Sequence, residues 1–267
     1  MEYYVRYGLE FNPFVKNSRE ILMTTSDFRE AQTRLNYLLE TKGFGVLTGG
    51  AGKGKTTAIR TWAKDLNPSL YKVVYSSLST VTVTEFYRKL ASDLGLEPQY
   101  RKPDNFRMIQ DEICRCTMEK RITPVIIIDE ANHICTGILN DLKILFNFDM
   151  DSKDRAVILL AGLPALNHTL MLSAHEPLRQ RITMNYHMEG LTKEESRQYI
   201  LTKLSGARCT RQVFNENALE ALANAANGVP RILNKLCNAC LMIGSTRGTD
   251  IIDEEIVLQA VEDSRLG

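Results

Sequence analysis

Gly49-Gly50-Ala51-Gly52-Lys53-Gly54-Lys55-Thr56 is the stretch on which the fold turns. A glycine, four residues and then Gly-Lys-Thr is the full phosphate-loop spacing. The residues before it, Phe44-Gly45-Val46-Leu47-Thr48, read as a short buried strand. Those after it, from Thr57 to Lys64, read as a helix. The loop needs that context. Its glycines allow a tight return and close approach of the backbone, so that N–H groups point at an anion. The helix start adds unpaired N–H groups and the positive end of its dipole. Lys55 can reach outer phosphates as a point charge, and the Thr56 hydroxyl can ligate Mg²⁺.

Working outward, Pro124-Val125-Ile126-Ile127-Ile128 leads into Asp129-Glu130. A continuous β-branched run suits a strand buried on both faces of a parallel sheet. The carboxyl end of such a strand is where ligands sit in open α/β sheets. Asp129 there can hold Mg²⁺, directly or through water, and Glu130 can polarise an attacking water. Lys72–Ser76 and Ala156–Gly162 read as further strands, making four with the first two. Helical spacing covers Thr84–Leu94, a segment carrying Met108, Ile109, Ile113 and Cys116, and Ile138–Phe148. A helix from Ser26 to about Lys42 is expected to be capped by Ser26 or Asp27, with Glu30 completing a capping box.

Strand and helix alternate up to the segment near Tyr186–Leu191, and only helical patterns follow: 192–205, 215–227, 230–245 and 253–264. The fold class is therefore α/β with a parallel sheet, followed by a small helical domain. The expected division is 1–188 and 189–267. The aromatic start, Tyr7-Gly8-Leu9-Glu10-Phe11-Asn12-Pro13-Phe14, reads as extended. It could pack near an adenine ring or tether the N-terminus.

The chain has 267 residues and a net charge of +1, so any nucleic-acid surface must be a local patch. Basic residues that could form one are Arg101, Lys102, Arg107, Lys120, Arg121, Lys153 and Arg155, in loops expected around one edge of the sheet. There is no apolar run long enough to span a bilayer and no signal peptide, so a cytoplasmic location without membrane contact is expected. Cys237 and Cys240 have C-x-x-C spacing without a second pair, and read as buried thiols on a helix face. His133, His168, His175 and His187 show no catalytic spacing. Phosphoryl transfer also needs cations. Arg179 and Arg181 in Glu176–Ile182, and Arg231 in Gly228-Val229-Pro230-Arg231, are the candidates.

These elements together resemble an AAA+ ATPase, with a P-loop αβα core and a helical lid. Tyr7–Phe14, Leu160–Leu166, Leu178–Ile182 and Gly228–Cys237 further resemble the ExeA-like group. That group includes secretion-associated ATPases and transposition regulators of the TnsC, TniB and Mu B type. The resemblance implies ATP and Mg²⁺ as cofactors, a homo-oligomeric ring or filament, and a site completed by the next protomer. Nucleotide contact is carried over to Gly49, Gly50, Ala51, Gly52, Lys53, Gly54, Lys55, Thr56, Thr57, Asp129 and Arg231. Metal goes to Thr56 and Asp129, and catalysis to Lys55 and Glu130. Arg181, then Arg179, stands as the finger toward a neighbour, and Arg231 as the lid arginine. The family's polar sensor is replaced by Ala161-Gly162-Leu163; Gly162 backbone, Asn167 or Asn132 substitutes, or hydrolysis is slow. In the transposition reading the partners are double-stranded DNA, a transposase and a target-selection protein, and the DNA residues are Arg101, Lys102, Lys120, Arg121, Lys153 and Arg155. The alternatives are a secretion or assembly ATPase acting on proteins, and a nucleotide-gated scaffold.

Overall fold

The structure is a computed structural model that describes residues 3–77 and 80–264. It divides into two compact units, one of Glu30–Gly50 and Lys55–Met188, the other of Met1–Arg29, Ala51–Gly54 and Glu189–Gly267.

The first unit is built on a five-stranded sheet: β1 (Gly43–Gly49), β2 (Tyr71–Ser76), β3 (Thr123–Ile128), β4 (Val157–Gly162) and β5 (Ile182–Met188). Their order is β2-β3-β4-β1-β5, and all pairs are parallel. Every residue of β1 and of β4 is buried, because helices cover both faces of the central strands. Helices Val83–Asp93, Lys102–Met118 and Thr136–Leu145 supply the apolar side chains of one core, among them Phe86, Leu90, Ile109, Ile113, Ile138 and Leu142. Thr82 and Glu85 close a capping box at the first of these helices.

Two sequence expectations need correction. The fifth strand, Ile182–Met188, is not among the four expected. Its apolar residues alternate through Ile182, Met184, Tyr186 and Met188, but it is a half-exposed edge strand and lacks the β-branched run of its neighbours. The helix Ser26–Thr41 is capped by neither Ser26 nor Asp27. Thr25 Oγ1 accepts from Phe28 N (3.1 Å), while the Ser26 hydroxyl donates to Glu195 and Asp27 Oδ2 accepts from Gly190 N. Long-range partners have taken the side chains that local spacing nominated.

The second unit packs helices Lys193–Gly206, Glu216–Ala226, Pro230–Arg247 and Glu254–Ser264 around Ile200, Leu222, Leu233, Leu241 and Ile256. The N-terminal Tyr7, Leu9 and Phe14 are buried in this same core, which is the tether reading of that segment. Lys203 is buried here too. Its ammonium donates to the Pro13 carbonyl (3.2 Å) and lies over the Tyr199 ring, and burial lowers its pKa. Cys237 and Cys240 are free and fully buried, and burial pushes the Cys240 thiol up to about 12. No helix among the described residues is long and apolar enough to cross a membrane.

Gly190 opens this unit at φ +93°, and a Cβ there would stand 2.3 Å from the Gly228 carbonyl oxygen. Backbone cannot yield as a flexible side chain does, and positive φ adds strain. Gly190→Ala is expected to destabilise the chain by roughly 2 kcal/mol or more. Chemical denaturation followed by far-UV circular dichroism would read this, and an unchanged midpoint would contradict it.

Candidate nucleotide and metal site

The phosphate loop runs from the end of β1 to the helix Lys55–Asp65. Gly52 and Gly54 hold φ of +77° and +100°, so the return is made with backbone that side chains rarely adopt. Lys55 is only 8% exposed, and its Nζ donates to the carbonyls of Gly49 (2.8 Å) and Gly50 (3.1 Å). A buried ammonium is thus held over the loop by its own carbonyl oxygens, in a place where an anion would be a stronger acceptor.

Thr56 follows Lys55 in the first turn, and Thr57 comes next in the same helix. Thr56 Oγ1 donates to Asp129 Oδ2 at 3.1 Å. Asp129 follows β3 and is 4% exposed. Its other oxygen, Oδ1, accepts from Glu130 N at 2.9 Å. A third donor was not foreseen. Tyr75 on β2 donates its hydroxyl to Asp129 Oδ2 at 2.8 Å. Burial, then the bond to Asp129, raises the Tyr75 pKa to about 12, so this hydroxyl stays protonated. The pairing is set by register. Tyr75 lies opposite Ile127, and Asp129 N donates to Ser76 O across the same two strands.

Glu130 is exposed and sits at φ +53°, in the left-handed region. Non-glycine residues occupy it at some cost in strain, and such residues gather at functional sites. The turn lifts Glu130 away from the sheet while Asp129 stays buried beneath it.

A Cβ on Gly162 would meet Asn132 Oδ1 at 2.7 Å, and the same oxygen accepts from Leu163 N at 2.9 Å. Asn167 turns to β1 instead, donating to Thr48 Oγ1 (3.1 Å), which also contacts His187 Nδ1 (3.0 Å) on β5. Thr48 is fully buried, so these two side chains satisfy its hydroxyl.

Arg179 and Arg181 lie just before β5, at the amino edge of the parallel sheet. The carboxyl edge, opposite, carries Gly49 and Asp129. Arg179 donates to the Leu170 and Met171 carbonyls, and Arg181 to the Lys143 carbonyl (2.6 Å) while lying over the Phe44 ring. In the helical unit, Arg231 is the second residue of the helix Pro230–Arg247 and packs against the loop tip: a Cβ on Gly52 would meet Arg231 Cβ at 2.8 Å. Lys53 Nζ donates to the Glu189 carbonyl at 2.5 Å.

Lys120 and Arg121 precede β3 at the amino edge of the sheet, and Arg101 and Lys102 stand at the start of the helix Lys102–Met118, where Lys102 lies over the Tyr87 ring. Lys153 and Arg155 precede β4 at that amino edge. Lys102 pairs with Asp141 (2.5 Å) and Arg155 with Asp149, whereas Arg101, Lys120, Arg121 and Lys153 are exposed.

The donors fit Mg²⁺. A buried carboxylate beside a hydroxyl offers hard oxygens, and Mg²⁺ is commonly held by one or two such groups together with substrate phosphates. Among the described residues no cluster of three or more His, Cys, Asp or Glu could cage a metal without such a substrate.

Residues 38–170 match the AAA domain family. General secretion pathway protein A of Aeromonas hydrophila is 30% identical over 266 residues, covering 97% of this chain and 48% of that protein. The chain therefore spans about half the length of that curated relative. Among solved structures, Cdc6p from Pyrobaculum aerophilum superposes with a TM-score of 0.71 at 16% identity, over 96% of this chain and 71% of that one. The Aeropyrum pernix ORC1 protein, solved in complex with DNA, gives 0.67 at 15% identity over 94% and 68%. At such identities the likeness is one of fold, and the fold is that of the P-loop AAA+ proteins. The AAA-family match at residues 38–170 covers the segment that carries the phosphate loop, Thr56, Tyr75 and Asp129.

Proposed function

We propose that this chain binds ATP with Mg²⁺, hydrolyses it slowly, and uses the nucleotide state to control its own assembly on duplex DNA, where it recruits and activates a transposase for target selection. The observation that carries the nucleotide part is the convergence of Lys55, Thr56 and Asp129 at the carboxyl edge of β1 and β3. Lys55 exchanges its loop carbonyls for phosphate oxygens. Thr56 and Asp129 hold the metal, which neutralises charge on the phosphates. Glu130 orients and deprotonates a water. Arg181 or Arg179, at the opposite edge of the sheet, acts on a neighbouring copy, and Arg231 serves as the lid arginine of its own chain. Asn132 stands in for the sensor. What supports this choice is that its Oδ1 accepts from the Leu163 backbone beside Gly162. For the functional division the boundary at 188/189 expected from sequence is retained, with residues 1–29, whose Tyr7, Leu9 and Phe14 pack in the helical unit, assigned to the lid rather than to the core.

For DNA, the proposal rests on the exposed Arg101, Lys120, Arg121 and Lys153 contacting phosphates, with Lys102 and Arg155 held back by their ion pairs. A second reading has its own support. The relative at 30% identity is named for a secretion pathway, and favours an ATPase acting on proteins.

Fluorescence anisotropy with a random-sequence duplex separates the two. The DNA reading expects cooperative binding with a non-hydrolysable ATP analogue, weak binding with ADP, and loss of affinity as salt rises. Intact ATPase activity without DNA binding in any nucleotide state would replace it with the protein-directed reading.

A further inference from the structure

Asp129 is a buried carboxylate with three donors aimed at it. Two of them, the Thr56 hydroxyl and the Glu130 amide, come from motifs that the phosphate loop and the acidic strand end already account for. The third, Tyr75, belongs to neither. It sits on the edge strand β2, where Val74 and Ser76 point into the protein while Val73 and Tyr75 point outward. The residue is 48% exposed, so it is not there to fill the core. Yet its hydroxyl reaches inward to Asp129 Oδ2 at 2.8 Å, the same oxygen that Thr56 contacts.

We propose that Tyr75 is a positioning residue for the metal: its hydroxyl fixes the Asp129 carboxylate in the orientation in which that group and Thr56 together receive Mg²⁺. The inference rests on the nucleotide reading above and adds a residue to it. A carboxylate with only Thr56 and its own neighbouring amide to hold it loses one anchor when Thr56 turns its oxygen toward a cation. Tyr75 is independent of the cation and keeps the rotamer through that change. Hydrogen-bonding partners that orient a metal ligand commonly shift metal affinity by roughly ten- to a hundredfold.

The test is a Mg²⁺ titration of fluorescent mant-ATP bound to the full chain, comparing wild type with Tyr75→Phe, which removes one oxygen from a half-exposed ring. Metal-free mant-ATP affinity is expected to stay the same and the melting temperature to fall by only about a few degrees, while the Mg²⁺ midpoint rises about tenfold. In an Asp129→Asn background the same Tyr75→Phe change is expected to have no further effect, because both variants remove one interaction. An unchanged Mg²⁺ midpoint in Tyr75→Phe overturns the proposal. So does a shift that persists undiminished beside Asp129→Asn, since Tyr75 would then act elsewhere. A wild-type chain that gives no mant-ATP response at any Mg²⁺ concentration overturns the nucleotide reading itself, and the proposal with it; a normal wild-type response with an indifferent Tyr75→Phe removes Tyr75 alone.

Discussion

Lys55→Ala is expected to lose ATP binding at least a hundredfold, and with it every nucleotide-dependent assembly. The ammonium is buried and already carries two hydrogen bonds to the Gly49 and Gly50 carbonyls. Exchanging these for charged phosphate oxygens gives the stronger, charge-assisted kind of bond. Each is worth roughly 1.5–3 kcal/mol, so losing two removes about two or more powers of ten. Alanine also leaves the loop carbonyls facing a phosphate with no cation between. Isothermal titration with ATP and Mg²⁺ measures the loss. Binding within fivefold of wild type would show that the loop does not hold the nucleotide through Lys55.

Glu130→Gln is expected to do the opposite to the cycle: ATP binds normally, hydrolysis falls by roughly a hundred- to a thousandfold, and the assembled state accumulates. Glutamine keeps the shape of the side chain and the backbone bond from residue 130 to Asp129 Oδ1, so the site is preserved while the base is removed. Single-turnover phosphate release gives the rate, and light scattering with ATP gives the assembly. A Glu130→Gln chain that hydrolyses at the wild-type rate would deny this residue its role.

The residues of these two predictions were legible in the sequence because both sites are short and local. A glycine-rich turn between a buried strand and a helix allows few other readings, and an acidic pair closing a β-branched run marks a strand end. Three helices of the second unit were visible for a similar reason, since Glu216–Ala226, Pro230–Arg247 and Glu254–Ser264 each keep an apolar stripe facing their own core, whereas Lys193–Gly206 buries Ser196 and Lys203 beside Ile200 and Leu204. The edge strand Ile182–Met188 was not found. Its alternation was present, but half-exposed edges carry weaker burial signals than central strands. The cap of the Ser26–Thr41 helix was misread because Ser26 and Asp27 serve distant partners.

The sequence by itself thus determined the parallel α/β sheet, the phosphate loop, the acidic strand end and the helical second half, because each is written in spacing over a few consecutive residues. The tertiary structure alone decided what lies 54 residues apart, as Tyr75 and Asp129 do, or 119, as Thr48 and Asn167 do. Those contacts follow from strand order and register, which bring β2 beside β3 and β4 beside β1. A hydrogen bond across neighbouring strands has no period along the chain, so only the folded sheet reveals it.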